Sequence, residues 1–104
     1  MASSKEYLDY VLDGLSKLSG ISYRAMMGEY IIYYQGKVAG GIFDNRFLVK
    51  PVKSALELMP DAPREIPYVG GKEMLLVDNV DDRDFLARLF DAMLPELPAP
   101  KTKK

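Results

Sequence analysis

Short apolar runs follow one another closely between Tyr23 and Lys50, and each is ended by a pair of turn-forming residues. These pairs are Gly28-Glu29, Gln35-Gly36 and Asp44-Asn45. Apolar runs of strand length that alternate with such turn residues predict a meander of antiparallel strands. Residues 23–50 therefore form the centre of the predicted fold, and the segments on either side are expected to pack against it.

Helical patterns flank this meander. Ser3 and Glu6 have the spacing of a capping box, and apolar residues then recur on one helical face as far as Leu18. Residues 54–59 are predicted to form a short helical turn, and residues 74–77 a strand. Residues 85–94 are predicted to contain the inward-facing apolar residues of a last helix. The predicted order is α-β-β-β-β-α-β-α, an α+β fold with two layers, in which helices cover one face of an antiparallel sheet of about five strands.

The turn positions also predict which residues share a face of the sheet. Two-residue turns at Gln35-Gly36 and Asp44-Asn45 fix the pairing, and directly paired residues lie on the same side. One side, without a charge, is the expected core: Ile31, Tyr33, Val38, Gly40, Ile42, Phe47 and Val49. The other side is too apolar for an ordinary wet surface and is the predicted interaction face: Tyr30, Ile32, Tyr34, Phe43, Arg46, Leu48 and Lys50, with Lys37, Ala39 and Gly41.

Arg24 and Glu29 form the candidate polar site. The first strand, 22–27, is followed by Gly28-Glu29, which is a weaker turn signal. If these two residues form the turn, the resulting pairing places Arg24 on the core side. A buried unpaired guanidinium is unfavourable, so Arg24 is expected near a strand end or paired with a carboxylate such as Glu29. We favour a structural ion pair over a ligand contact for these two residues.

Missing residue types exclude much chemistry. The 104 residues contain no cysteine and no histidine, so there is no thiolate, no imidazole base and no metal ligand of either kind. We predict no catalytic residue, no cofactor and no metal site. The net charge is −1, from 14 basic and 15 acidic residues, which argues against nucleic-acid binding by this domain alone.

The chain is predicted to form one domain over residues 1–96, followed by a disordered tail rich in proline and lysine over 97–104. No apolar run approaches the ~20 residues that cross a bilayer, and the N-terminal residues lack the pattern of a secretion signal. We therefore expect no membrane association and a cytoplasmic location.

Three segments resemble the N-terminal domain of the TfoX (Sxy) family. They are Tyr23-Arg24-Ala25-Met26-Met27-Gly28-Glu29-Tyr30, Tyr34-Gln35-Gly36-Lys37-Val38-Ala39-Gly40-Gly41-Ile42 and Asp44-Asn45-Arg46-Phe47-Leu48-Val49-Lys50-Pro51. The likeness is closest to short stand-alone bacterial members. It implies a compact α+β fold similar to bacterial secretion chaperones, a tendency to dimerise, and a regulatory role without established catalytic residues.

The leading hypothesis is therefore a non-enzymatic interaction or regulatory domain that forms a homodimer, or binds an unidentified protein partner, through the predicted interaction face. One alternative is contact with nucleic acid or the transcription machinery in competence-type regulation, with aromatic residues stacking on bases. A second alternative is small-molecule binding near Arg24, Glu29 and Lys50.

Overall fold

The computed structural model describes residues 3–67 and 70–98. Its helices are α1 (Lys5–Gly14), α2 (Lys53–Leu58) and α3 (Arg83–Met93), and a 3-10 turn, Leu94–Glu96, follows α3. Its strands are β1 (Ile21–Met26), β2 (Glu29–Tyr34), β3 (Lys37–Ile42), β4 (Phe47–Val49), β5 (Arg64–Glu65) and β6 (Met74–Val77). The predicted α+β class and order of elements are confirmed. The additional strand among the described residues is β5, which has only two residues.

The six strands form one antiparallel sheet in the order β1-β2-β3-β4-β6-β5. Two predicted turns are confirmed, since Gln35-Gly36 and Asp44-Asn45 have the positive φ angles of type I′ hairpins. The first turn lies one residue earlier than predicted. Met27 and Gly28 occupy it, with φ of 52° and 84°, and Met26 pairs with Glu29.

A bulge between β2 and β3 decides which side of the sheet each residue faces. Tyr34 pairs with Lys37 and Tyr33 with Val38, but Ile32 pairs with Gly40. Ala39 is therefore an extra residue on β3. An extra residue in one strand exchanges the two faces beyond that point, because side chains alternate with a period of two.

The prediction that Tyr30, Ile32 and Tyr34 face away from the helices is wrong for this reason. Through the bulge, β2 places Tyr30 opposite Ile42 and Ile32 opposite Gly40, so the even-numbered residues of β2 lie on the helix side. Ile32 is fully buried there, and Tyr34 is only 4% exposed. Ile32 and Tyr34 therefore belong to the core rather than to an exposed interaction face, and Tyr30 is half-buried on the helix side.

The prediction of which residues in β3 and β4 face the core agrees with the pairing of these two strands. Ile42 pairs with Phe47 and Gly40 with Val49 on the helix side, while Gly41 pairs with Leu48 on the opposite side. Side chains from α1, α2, α3 and the sheet together form the hydrophobic core. Its largest buried members are Leu8, Val11, Leu15, Ile32, Ile42, Phe47, Leu75, Leu86, Leu89, Phe90 and Met93.

The core also extends one residue past the predicted domain boundary. Leu97, in the predicted tail, is 4% exposed and packs in the core cluster. Pro98 is exposed, and residues 99–104 of the predicted tail lie outside the described residues.

Gly14 lies where α1 touches the segment that precedes α3. A Cβ atom built at this glycine would lie 2.2 Å from the carbonyl oxygen of Val80 and 3.0 Å from Cδ1 of Leu86. The glycine therefore permits a close approach between α1 and the Val80 carbonyl. This carbonyl belongs to the backbone, so it cannot shift away without moving the neighbouring residues.

Gly14→Ala is expected to lower the free energy of unfolding by about 1–3 kcal/mol, because the added methyl group overpacks this contact. Helix propensity alone predicts the opposite sign, a gain of up to about 1 kcal/mol. Urea unfolding followed by circular dichroism measures the difference. Ala87→Gly in α3 is the control, because it measures the difference in helix propensity between alanine and glycine in this protein. If Gly14→Ala were more stable than wild type, the close approach of α1 to Val80 would be contradicted.

Candidate functional site on the open face of the sheet

The helices leave one side of the sheet uncovered, and we call this side the open face. Alternation along the strands assigns to it Arg24, Ile31, Tyr33, Val38, Gly41, Leu48, Met74 and Leu76. Ile31, Tyr33, Val38, Met74 and Leu76 are half-buried, whereas Leu48 is fully buried. The open face is therefore apolar and partly covered.

Phe43 covers the middle of the open face. A Cβ atom built at Gly41 would lie 2.7 Å from Cε2 and 2.8 Å from Cζ of the Phe43 ring, so this ring packs directly on the glycine backbone. Phe43 is 6% exposed. The predictions that Phe43 and Leu48 lie on the side away from the helices are confirmed, but both side chains are buried there.

An apolar cleft of about 980 Å³ opens beside Phe43. Its apolar walls come from the open face and from the tip of the β1–β2 hairpin, namely Met26, Met27, Ile31, Val38, Phe43 and Met74. Its polar residues are Glu29, Lys50, Lys72, Glu73 and Glu96. The volume lies within the range of small-molecule sites, which are predominantly apolar with few polar groups.

Two of the cleft carboxylates already accept hydrogen bonds from the chain. Glu29 Oε1 accepts from the Ser3 hydroxyl at 2.6 Å and from the Asp44 amide at 3.1 Å, and Glu96 Oε1 accepts from the Ser54 amide at 2.8 Å. The ammonium groups of Lys50 and Lys72 enter no ion pair among residues 3–67 and 70–98. These two lysines are the basic groups that the cleft offers to a ligand.

Arg24 and Glu29 form no ion pair, so the candidate polar site is not assembled as predicted. Arg24 is exposed and pairs along the backbone with Ile31 on the open face, whereas the prediction placed it on the core side. The bulge at Ala39 again explains why Arg24 lies on the other side of the sheet from the one predicted. It reverses the faces of β2 relative to β3, and β1 follows because it pairs with β2. Glu29 and Lys50 do line the same cleft, but Arg24 does not.

Glu29 instead belongs to a polar cluster that the sequence patterns did not reveal. Ser3 is 8% exposed; its hydroxyl donates to Glu29 and accepts from the Asn45 amide at 3.0 Å. Ser4, rather than Ser3, caps α1 by accepting from the Tyr7 amide at 3.1 Å. The cluster joins the residues before α1 to two hairpin turns, and it holds Glu29 in a structural role.

Arg46 and Lys37 are also engaged within the chain. Arg46 forms an ion pair with Glu65, and its Nε donates to the Phe43 carbonyl at 3.1 Å. Lys37 lies on the helix side, where its ammonium donates to the Leu94 carbonyl at 3.3 Å near the end of α3. Of the three cations of the predicted interaction face, Lys50 is the one whose side chain has no ion pair or hydrogen bond to the part of the chain that the structure describes.

Tyr34 has a structural partner on the helix side. Its hydroxyl donates to Asp91 Oδ1 at 2.5 Å, and its ring lies 5.9 Å from that of Phe90. The hydrogen bond to the Asp91 carboxylate, together with burial, raises the pKa of Tyr34 above its ordinary value of 10.0. The neutral phenol is thus the form that the folded state favours.

This pKa shift predicts a stability difference that depends on alkaline pH. A raised folded-state pKa means that the contribution of Tyr34 is complete below pH about 10 and is lost as pH rises through the folded-state value. Tyr34→Phe is expected to lower the free energy of unfolding by about 1 kcal/mol near neutral pH, and the difference from wild type should shrink above pH about 10. Denaturant unfolding at stepped pH measures it. Burial also raises the pKa of Tyr7, so wild type must be compared with Tyr34→Phe to isolate the contribution of Tyr34. If the difference in free energy of unfolding between the two proteins stays constant with pH, the raised pKa is not that of Tyr34.

Among the described residues there is no group of three or more acidic side chains placed to hold a metal ion. None of the helices described is long and apolar enough to cross a bilayer. The site that the described residues define is therefore an apolar cleft on a sheet face, bordered by two lysines and three glutamates.

Comparison with known proteins gives one relationship. The chain is 31% identical over 105 residues to the "Uncharacterized 12.7 kDa protein in trpE 5'region" of Spirochaeta aurantia, and the match covers 100% of this chain and 91% of that protein. The chain belongs to the same family as this protein. No family model matches the chain, and no solved structure matches it.

Proposed function

We propose that this protein is a non-enzymatic interaction domain of the TfoX N-terminal type that forms a homodimer in the cytoplasm. The single observation that carries the proposal is the exposed apolar surface of the β1–β2 hairpin, at the edge of the sheet beside the cleft. The interface we propose uses this hairpin and its outer strand, β1. It replaces the surface predicted around Ile32 and Tyr34, which are buried.

The distribution of exposed apolar side chains supports this interface. Tyr23 is 42%, Met26 50% and Met27 97% exposed, and all three lie on the β1–β2 hairpin. Ile66, at 53% exposed, precedes the loop that borders the cleft. Contiguous exposed apolar surface in a small protein is typical of an association site, and methionine adapts well to such interfaces.

The fold supports the TfoX-type part of the proposal. A helix, a four-stranded meander, a short helix, two further strands and a last helix follow one another, and a compact α+β fold is what the resemblance implies.

Light scattering coupled to gel filtration tests the homodimer. We expect wild type to have twice the monomer mass of 11.7 kDa. Met26→Glu combined with Met27→Glu should give the monomer mass, because two charges would then replace apolar side chains in the surface that the interface buries. Tyr10→Glu, at an α1 side chain that is 46% exposed, is the matched control and should remain dimeric. A wild-type monomer at every concentration tested would end this proposal.

Nucleic-acid contact is less favoured by the structure. That alternative depended on aromatic residues of the predicted interaction face, and two of them, Tyr30 and Tyr34, lie on the helix side of the sheet. Lys37 and Arg46, two of the three cations of that predicted face, already bind groups of the chain. Stacking of bases on an open sheet face requires exposed aromatic rings, and these residues do not provide them.

Binding of a small anionic amphiphile in the cleft is the second candidate function. The ammonium groups of Lys50 and Lys72, which form no ion pair with the described residues, lie beside apolar walls and favour it. Titration with short-chain fatty acids, followed by NMR of the open-face methyl groups, tests it. The expected result is saturable shifts that weaken in Lys50→Glu with Lys72→Glu. Shifts of equal size in wild type and this variant would contradict the lysine role.

A further inference from the structure

Strand β1 forms one edge of the sheet and is unusually unprotected. Its pairing with β2 is regular from Ile21 to Met26, and five of its six residues are exposed. It contains one charge, Arg24, and no proline or bulge. The opposite edge, β5, has only two residues. Proteins usually blunt long edge strands with charges, proline or bulges, since an open edge is a template for another strand.

The hydrogen-bond pattern identifies which backbone groups of β1 face outward. The Gln35 amide donates to the Gly20 carbonyl at 2.8 Å, so residues 20 and 35 belong to the hydrogen-bonded class of the β1–β2 ladder. In an antiparallel ladder, hydrogen-bonded and non-hydrogen-bonded pairs alternate. The even-numbered residues of β1 therefore bond to β2. Ile21, Tyr23 and Ala25 direct their N–H and C=O groups toward the open edge.

We propose that β1 pairs antiparallel with β1 of a second copy of this chain, with Tyr23 opposite Tyr23 on the twofold axis. This inference rests on the proposed homodimer and specifies how the two copies meet. In this register Ile21 lies opposite Ala25, so all three outward-facing residues of each strand bond to the partner strand. The two sheets become one continuous sheet of twelve strands.

Charge and overlap select this register among the neighbouring ones. A shift that placed Tyr23 opposite Ala25 would set Arg24 directly opposite Arg24, and like charges in that position are destabilising. A shift the other way, with Ile21 opposite Tyr23, would leave Ala25 without a partner. With Tyr23 on the axis, Arg24 lies opposite Ser22, and no two like charges face each other.

The register also sets the relation between the two binding surfaces. Directly opposed residues share a face of a sheet, so the open faces of the two copies lie on the same side. Tyr23, which contacts Tyr30 edge-on at a ring distance of 5.9 Å, meets its counterpart on the helix side. Both clefts would then open toward the same partner or surface.

Single cysteines test the register, because the chain has none of its own. In the proposed pairing the two copies of residue 23 are about 5.5 Å apart between Cα atoms, a distance that suits a disulfide. The two copies of residue 25 are separated by about 14 Å, from roughly 3.4 Å per residue along the strand. Tyr23→Cys and Ala25→Cys are matched, since both positions are exposed and direct their backbone groups to the same edge.

We expect mild oxidation of Tyr23→Cys to give a covalent dimer at least about tenfold faster than oxidation of Ala25→Cys. An equimolar mixture of Ile21→Cys and Ala25→Cys should give the mixed disulfide in preference to either homodimer. Circular dichroism of each reduced variant establishes that it is folded, and oxidation in urea should remove the preference.

Failure of the β1 pairing can be distinguished from failure of the homodimer. If wild type is dimeric by light scattering but Tyr23→Cys does not crosslink faster than Ala25→Cys, this pairing of β1 is wrong and the homodimer stands. If wild type is monomeric, the homodimer and the pairing both fall. Preferential crosslinking at residue 23 with the mixed Ile21–Ala25 disulfide supports the register proposed here.

Discussion

Replacement of Tyr34 by glutamate is expected to remove most of the stability of this protein. Tyr34 is 4% exposed, packs on Phe90 and donates to the Asp91 carboxylate. Glutamate would place a second carboxylate beside Asp91 in a buried position, where an unpaired charge is very unfavourable. The loss should be at least about 4 kcal/mol, which is most of the stability of a domain at the lower end of the usual range of about 5–15 kcal/mol. Loss of the cooperative thermal transition in circular dichroism would record it.

Tyr33→Glu is the matched comparison, because the two tyrosines are adjacent in β2 and face opposite sides of the sheet. Tyr33 is half-buried on the open face, so its replacement should cost about 1–2 kcal/mol and leave the transition cooperative. The pair of variants reports on the bulge at Ala39. If Tyr33→Glu unfolded the protein and Tyr34→Glu did not, the two faces of β2 would be reversed.

Phe90→Ala should have the second largest effect, a loss of about 3–5 kcal/mol in the free energy of unfolding. Phe90 is fully buried, and its ring lies 5.9 Å from Tyr34 and 6.1 Å from Phe47. It thereby joins α3 to β2 and β4, and alanine would leave a cavity that two strands border. Chemical denaturation with extrapolation to water measures the loss.

Phe85→Ala is the control on the same helix, since Phe85 is half-buried at the margin of the core. It removes the same atoms but leaves a smaller cavity, and we expect a loss of about half as much. Equal losses for the two variants would show that the contact between α3 and the sheet does not depend on the Phe90 ring.

The candidate site was only partly predictable. Phe43, Leu48 and Lys50 lie on the side of the sheet away from the helices, as their hairpin turn predicted. Met74, Lys72 and the hairpin tip Met26-Met27 were missed. Met74 belongs to a strand that enters from a distant part of the chain, and Lys72 to the segment just before that strand, so local patterns give no sign that they border the same cleft.

The sequence by itself determined the class of fold, because helix and strand periods, turn residues and caps are local properties. It placed two of three hairpin turns, at Gln35-Gly36 and Asp44-Asn45, since only residues tolerant of positive φ suit them. It also determined that Ile42, Phe47 and Val49 face the core, because the second of these turns sets their register directly.

Only the tertiary structure decided which side of β2 is buried. The run Ile31-Ile32-Tyr33-Tyr34 presents one isoleucine and one tyrosine to each side, so alternation carries no preference. The extra residue Ala39 resolves the choice, and no residue type marks it as a bulge. With β2 turned in this direction, Glu29 reaches Ser3 and the Asp44 amide, and Tyr34 reaches Asp91. These are contacts between residues 15 to 57 positions apart, which local patterns cannot encode.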